Sequence, residues 1–182
     1  MEFIQQGNTY AFDELYNRYS QRLLYYFFRM FGGDEEKAQD FLQDLFLKII
    51  EKPAQFASKH KFTSWIFTVA HNMCKNEYRR LSVRQVIDNN TNLDLVSTGD
   101  GSKLIEQQID QKIFENQLSK ELQKLNPDYQ STFILRFQEN LSIKEISAIL
   151  ACSEGTVKSR LFHTTRKLMN RLQEFNPHQV EV

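Results

Sequence analysis

Five basic side chains, Lys158, Arg160, Arg166, Lys167 and Arg171, fall between Glu154 and Arg171 with only Glu154 to balance them. Val157, Leu161, Leu168 and Leu172 recur through the same stretch at helical spacing, so one face is apolar and the bases cannot all be buried behind it. Cations on the open face of a helix suit phosphate pairing and hydrogen bonding to base edges, because an α-helix fits the major groove. A second cluster, Lys61 to Arg80, mixes bases (Lys75, Arg79, Arg80), amides (Asn72, Asn76) and aromatics (Phe62, Trp65, Phe67, Tyr78). Phosphate pairing combined with stacking or pocketing of bases is how single-stranded nucleic acid is held. The plainer reading makes Phe62 and Trp65 core residues and the bases a solvated helix end; for Trp65 the core reading is preferred.

Catalytic chemistry has no comparable support. No glycine-rich phosphate loop or nucleophile elbow occurs, and Asp34-Glu35-Glu36 reads as a helix start where carboxylates offset the helix dipole. His71 and Cys74 are three apart on one helical face with His60 nearby, but zinc sites take four good ligands and a fourth is missing. No catalytic residue, metal site or cofactor is expected.

The elements that must position the two basic clusters are all helical. Ser142 and Glu145 form an S-x-x-E capping box, followed by Ile146, Ile149 and Leu150 at helical spacing. Ala151-Cys152-Ser153 is a small-residue turn, and Ser153 caps the basic helix. The result is a helix-turn-helix, with an ordinary αα-hairpin carrying a solvated charged face as the alternative. Upstream, one helix is expected from Thr9 to Phe31, closed by Gly32-Gly33. A second is capped by Asp34 and stopped by Pro53, with Phe41, Leu42, Leu45, Phe46, Ile49 and Ile50 as its apolar stripe and Gln39, Asp40, Gln43, Asp44 and Lys48 opposite. A third starts near Thr63. Residues 85–103, rich in Asn, Asp, Ser, Thr and Gly, read as a flexible polar linker. Helical periodicity resumes near Leu104, and Asn126-Pro127 opens a further helix. The fold class is all-α: two small helical domains, residues 1–84 and 104–182, with the helix-turn-helix in the second.

The bulk composition agrees. The chain has 182 residues, 41% hydrophobic and 25% charged, with 15 Phe and 7 Tyr to firm small cores but only 6 Gly and 3 Pro. No 18-residue apolar run and no signal sequence is present, and Cys74 and Cys152 are far apart, which suits reduced thiols in a soluble, cytoplasmic protein without membrane insertion. Net charge is zero, yet its distribution is not even. Asp34–Glu51 and Asp88–Asp110 each carry −4, while Lys61–Arg84 and Glu154–Arg171 each carry +4. Alternation of that kind points to separate acidic and basic contact surfaces.

Three blocks of this chain, in order, resemble the extracytoplasmic-function class of bacterial RNA polymerase sigma factors. AFDELYNRYSQRLL with GDEEKAQDFLQDLFLKI is similar to the first conserved block of that family, FTSWIFTVAHNMCKNEYRR to its F-x-x-W block, and LNPDYQSTFILRFQENLSIKEISAILACSEGTVKSRL to its promoter-binding domain. The resemblance implies a subunit without catalytic residues that binds RNA polymerase core and directs it to promoters through −10 and −35 elements. It implies that Gln43, Asp44 and Phe46 dock on the clamp helices of the largest polymerase subunit, Asp44 supplying the acidic contact, and that the flap of the second-largest subunit is a further partner. Asn72, Lys75, Asn76, Arg79 and Arg80 match the portion that binds the −10 element. There a non-template base is flipped into a pocket, at a cost of a few kcal/mol that contacts must repay. Thr156, Lys158, Ser159, Phe162 and His163 match −35 recognition positions, with Arg160 and Arg166 suited to phosphates. An anti-sigma factor, commonly membrane-bound in the family, is a further implied partner.

The chain departs from the family pattern in three places. Leu125-Asn126 stands where Leu-Pro is usual, Gln130 where an arginine often makes a phosphate contact, and His163 where arginine is frequent. A free-standing homodimeric helix-turn-helix regulator is the alternative function, but it leaves the acidic N-terminal face without a role.

Overall fold

A computed structural model describes residues 1–52, 61–87 and 106–175. Eight α-helices follow one another among them, with no strand. They are α1 (Glu2–Gln5), α2 (Thr9–Met30), α3 (Glu35–Glu51), α4 (Phe62–Ile87), α5 (Glu106–Gln123), α6 (Pro127–Phe137), α7 (Ile143–Ile149) and α8 (Glu154–Arg171), followed by a 3₁₀ turn at Gln173–Phe175. The expected all-α class holds, and the helix ends fall where the capping residues put them. Asp34 accepts from the Lys37 amide at 3.0 Å, Asn126 from Asp128 at 3.0 Å and Ser153 from Thr156 at 3.0 Å. The Ser142–Glu145 box is complete in both directions. Each such side chain satisfies an amide that helix geometry leaves unpaired.

Two differences from the sequence reading concern boundaries. Helix α4 runs through Ile87, three residues past the expected domain end at Arg84, because nothing between Leu81 and Ile87 is a breaker. The remainder of the expected linker, like Pro53 and His60, lies outside the described residues. The short α1 was not expected; it closes at Gly7, whose φ of 78° suits glycine.

In the N-terminal unit α2 and α3 are antiparallel partners joined by the Gly32-Gly33 turn, both glycines at positive φ. Aromatic rings bind the pair: Phe46 packs on Phe12 and Tyr16, and Phe41 on Phe27 and Phe31, with centroids 4.5–5.9 Å apart. Helix α4 lies against them through Ile66, Phe67, Ala70 and Cys74, all fully buried. In the C-terminal unit, Leu122, Leu125, Leu168 and Leu172 form a core between α5, α6 and α8.

The opposite side of that unit does not stop at its own surface. Ile134, Leu135, Leu141, Ile146, Ile149 and Val157 are continuous with the core of the N-terminal unit. Tyr26, fully buried, exchanges a 2.7 Å hydroxyl hydrogen bond with Ser131 across the boundary. Two ion pairs flank this core, Arg22–Glu139 at 2.7 Å and Lys61–Glu145 at 3.0 Å. The two units therefore pack together, so α4 must be apolar towards α2 and α3 on one side and towards α6 and α7 on another.

Candidate nucleic-acid interface

Helix α8 buries Val157, Thr164 and Leu168, which turns Lys158, Ser159, Phe162, His163 and Arg166 outward in one stripe. Those five occupy successive turns, with exposure of 62% at Phe162, an unusual position for so large an apolar ring unless something covers it. Its edge meets the His163 ring at 5.5 Å between centroids. Thr156 is half-buried, its hydroxyl 2.9 Å from Ser153 Oγ, so it serves the cap.

Arg160 is not in the stripe. Its Nη2 donates to Asp128 Oδ2 at 2.7 Å, and its guanidinium lies 5.9 Å from the centre of the Tyr129 ring. It braces α8 against α6, whereas the resemblance implied a phosphate contact. Helical spacing could have raised this alternative, since Arg160 lies three residues after Val157 on the rim of the buried face.

On α4, Asn72, Lys75, Asn76 and Arg79 are exposed at spacings of three and four, a single open face. Arg80 is exposed too, but its guanidinium is held at 2.8 Å by Glu77, which also receives Lys37 Nζ from α3 at 3.0 Å. Burial acts to raise the Glu77 carboxyl, but the hydrogen bonds from Arg80 and Lys37 outweigh it and hold the group below the usual range. Trp65 and Phe62 are half-buried, 5.4 Å apart, on the margin of the core. Behind the open face, Cys74 is buried and its thiol pushed far up by desolvation, and His71 is buried with its Nε2 3.8 Å from Asp128 Oδ1.

Helix α3 carries the acidic surface. Gln43 and Asp44 are exposed, joined by Leu47 and Ile50 at 53% and 51% exposure. The expected stripe assigned Ile50 inward, yet it points out, because Ile49 takes the buried position at that turn. Phe46 is 3% exposed and packs between Phe12 and Tyr16, so it supports the face from beneath without standing on it. A last surface escaped the sequence reading altogether. Phe114, Leu118, Phe133, Phe137, Leu168 and Met169 help line an open apolar groove of about 390 Å³ between α5, α6 and α8. Phe137 and Met169 are exposed there at 53% and 66%. Helical periodicity places Leu168 on an apolar face, but it does not distinguish a residue lining a groove from one in a filled interior.

The comparisons with known proteins fall on these same segments. The sigma-70 region 2 model matches residues 15–84, which hold α3 and most of α4. The sigma-70 region 4 model matches residues 115–168, which hold the helix-turn-helix. The RNA polymerase sigma factor YlaC of Bacillus subtilis is 32% identical over 89% of this chain and 92% of its own length. The ECF RNA polymerase sigma factor SigW of the same organism is 25% identical, covering 94% of both chains. Among solved structures, the sigma factor RpoE of Bartonella quintana, in complex with the anti-sigma factor NepR, superposes with a TM-score of 0.72 at 21% identity, over 90% of this chain and 97% of its own. CnrH in complex with the cytosolic domain of CnrY gives a TM-score of 0.67 at 22% identity, over 95% and 94%. Two helical units carrying these two regions define an RNA polymerase sigma factor. The chain belongs to the extracytoplasmic-function class of that family, whose members direct polymerase to promoters.

Proposed function

We propose that this sigma factor divides its work among four surfaces. The α4 face of Asn72, Lys75, Asn76 and Arg79 binds the −10 element, with Arg80 held at its edge by Glu77. The amides suit hydrogen bonding to the edges of an unpaired base, and the cations suit the phosphates either side of it. The α8 stripe reads the −35 element in the major groove. Lys158, Ser159 and His163 supply hydrogen-bonding groups, Phe162 an apolar contact such as a thymine methyl accepts, and Arg166 a phosphate contact.

Gln43 and Asp44, with Leu47 and Ile50 beside them, dock on the clamp helices of the polymerase core, a small acidic patch around an apolar centre. The groove of Phe114, Phe133, Phe137 and Met169 receives an apolar helix of the polymerase flap, since an amphipathic helix laid in such a groove buries both faces. An anti-sigma factor competes for these polymerase-facing surfaces, and the protein acts in the cytoplasm. No step requires a catalytic side chain, a metal or a cofactor of its own.

The observation that carries the reading is the outward stripe on α8 together with the open face of α4: two nucleic-acid surfaces on separate units, each backed by a buried helix face. A homodimeric regulator would use the first and leave the second idle. Permanganate footprinting of the holoenzyme on promoter DNA tests it. Asn72→Ala is expected to suppress strand opening at −10 while leaving upstream protection, and Lys158→Ala to weaken upstream protection. Equal loss of both footprints in both variants would overturn the division.

A further inference from the structure

The open face of α4 has a lateral order. Successive residues of an α-helix are about 100° apart around its axis. Asn72 and Asn76 therefore lie near the middle of the face, with Lys75 on one flank and Arg80 on the other, all four exposed. The Arg80 side chain is 59% exposed, yet it is not loose. Glu77 takes it on two atoms: Arg80 Nε donates to Oε2 at 2.8 Å and Nη2 donates to Oε1 at 2.9 Å. A guanidinium engaged by such a fork is fixed in its plane, and its other edge is left for a further acceptor.

Glu77 is itself anchored. It is 6% exposed, and Lys37 Nζ reaches its Oε1 from α3 at 3.0 Å. Two further contacts place Lys37: its amide donates to Asp34 Oδ1 at 3.0 Å, and its ammonium lies 5.0 Å from the centre of the Phe31 ring. A buried carboxylate needs its charge met, but one cation would meet it and this one has two. The group of Lys37, Glu77 and Arg80 is therefore net positive. Without Lys37 it would be neutral, and a phosphate would gain little from it. Lys37 preserves the attraction that Glu77 would otherwise cancel.

We infer that Glu77 is a positioning residue for promoter opening: through Arg80 it fixes a phosphate contact on the α3 flank of the −10 face, and Lys37 keeps that contact cationic. This rests on the assignment of −10 binding to α4. An arginine already held in place loses little rotamer freedom when a phosphate arrives, so more of the contact's free energy goes into holding the unpaired strand. Lys75 on the opposite flank is the second phosphate contact, and the two amides between them face the bases.

The rate of strand opening by holoenzyme, followed by a fluorescent base in the −10 element of promoter DNA, tests this. Removing an acid beside DNA should by charge alone favour binding. Glu77→Gln is instead expected to slow opening about tenfold, because the released arginine must be ordered anew, with closed-complex affinity no weaker than wild type. Arg80→Lys keeps the charge, loses the fork and is expected to slow opening as much. The double variant is expected to be no slower than either single one, which a merely structural Glu77 would not show. Lys37→Met is expected to slow opening about threefold at low salt and by less at high salt. Additive slowing in the double variant would overturn the inference. Wild-type opening in Arg80→Lys would do so too, and decides the matter even if Glu77→Gln fails to fold. Asn72→Ala separates this from the −10 assignment. If only Asn72→Ala slows opening, the positioning role alone is overturned; if it too opens like wild type, the assignment falls and the inference with it.

Discussion

Asp128 is the residue on which the two halves of the chain converge. It occupies the first turn of α6, where a carboxylate favours the helix dipole, and there it meets Arg160 and faces His71. His71 is governed mainly by desolvation, which lowers its affinity for a proton. Asp128 opposes that shift, while Lys75 and Arg160 reinforce it. The folded form thus prefers neutral His71, whereas the unfolded chain takes up a proton near the ordinary pH of about 6.5. Its contribution to stability is present above that value and lost as pH falls below it. Urea unfolding between pH 7.5 and 5.5 is expected to show the loss, and His71→Leu to flatten the slope. Glu139, raised chiefly by burial, titrates in the opposite sense, so the difference between the two chains is the quantity to measure. An identical slope in the variant would remove His71 from the account. Asp44 is exposed and its replacement touches no core contact, so Asp44→Arg is expected to abolish core binding with an unchanged unfolding midpoint. Unchanged core affinity would take Asp44 out of the docking face.

Individual helices were largely legible in the sequence because their ends are written in side chains. Ser142 with Glu145, Ser153, Asn126-Pro127 and Asp34 each perform the cap that their type and spacing imply. Ser142→Ala is expected to cost about 0.5–2 kcal/mol, the usual loss for an N-cap. The turn between α7 and α8 makes a separate prediction. Ala151 sits there at φ 49°, a left-handed conformation that costs an L-residue roughly 1–2 kcal/mol and glycine almost nothing. Ala151→Gly should therefore raise stability by several tenths of a kcal/mol or more after the added chain entropy is subtracted. A lower unfolding midpoint would show that the turn is not strained. Facing was less legible than capping. Ile50 and Leu47 look outward and Phe46 inward, although all three are apolar and close together, because the aromatic side chains of α2 select which turn of α3 they cover.

At the scale of the whole molecule, the sequence identifies two helical units and says little about their relation. Contacts such as Tyr26–Ser131, Arg22–Glu139 and Gln130–Arg29 join residues more than a hundred positions apart, and no periodicity reports on such pairs. Gln130 illustrates the point. In sequence it marks only the absence of a familiar arginine, and in the fold it is a buried donor to another helix's end. The site fared likewise: both exposed basic stripes could be read from spacing, whereas the restraint of Arg160 and Arg80 by acids could not. Part of the charge pattern has a spatial meaning: Lys75 and Arg79 on α4 and Lys158, Arg166 and Lys167 on α8 are exposed on two units and Asp44 on a third surface, while Arg80, Arg160 and Arg171 are paired with acids.

The central claim is that this chain confers promoter-specific initiation on RNA polymerase. Run-off transcription with purified core polymerase, on templates selected from a promoter library, tests it most directly. A discrete transcript is expected only when the protein is added, and it should be lost with Asp44→Arg and reduced with Lys158→Ala. The absence of any protein-dependent transcript, with no complex formed on core, would contradict the account.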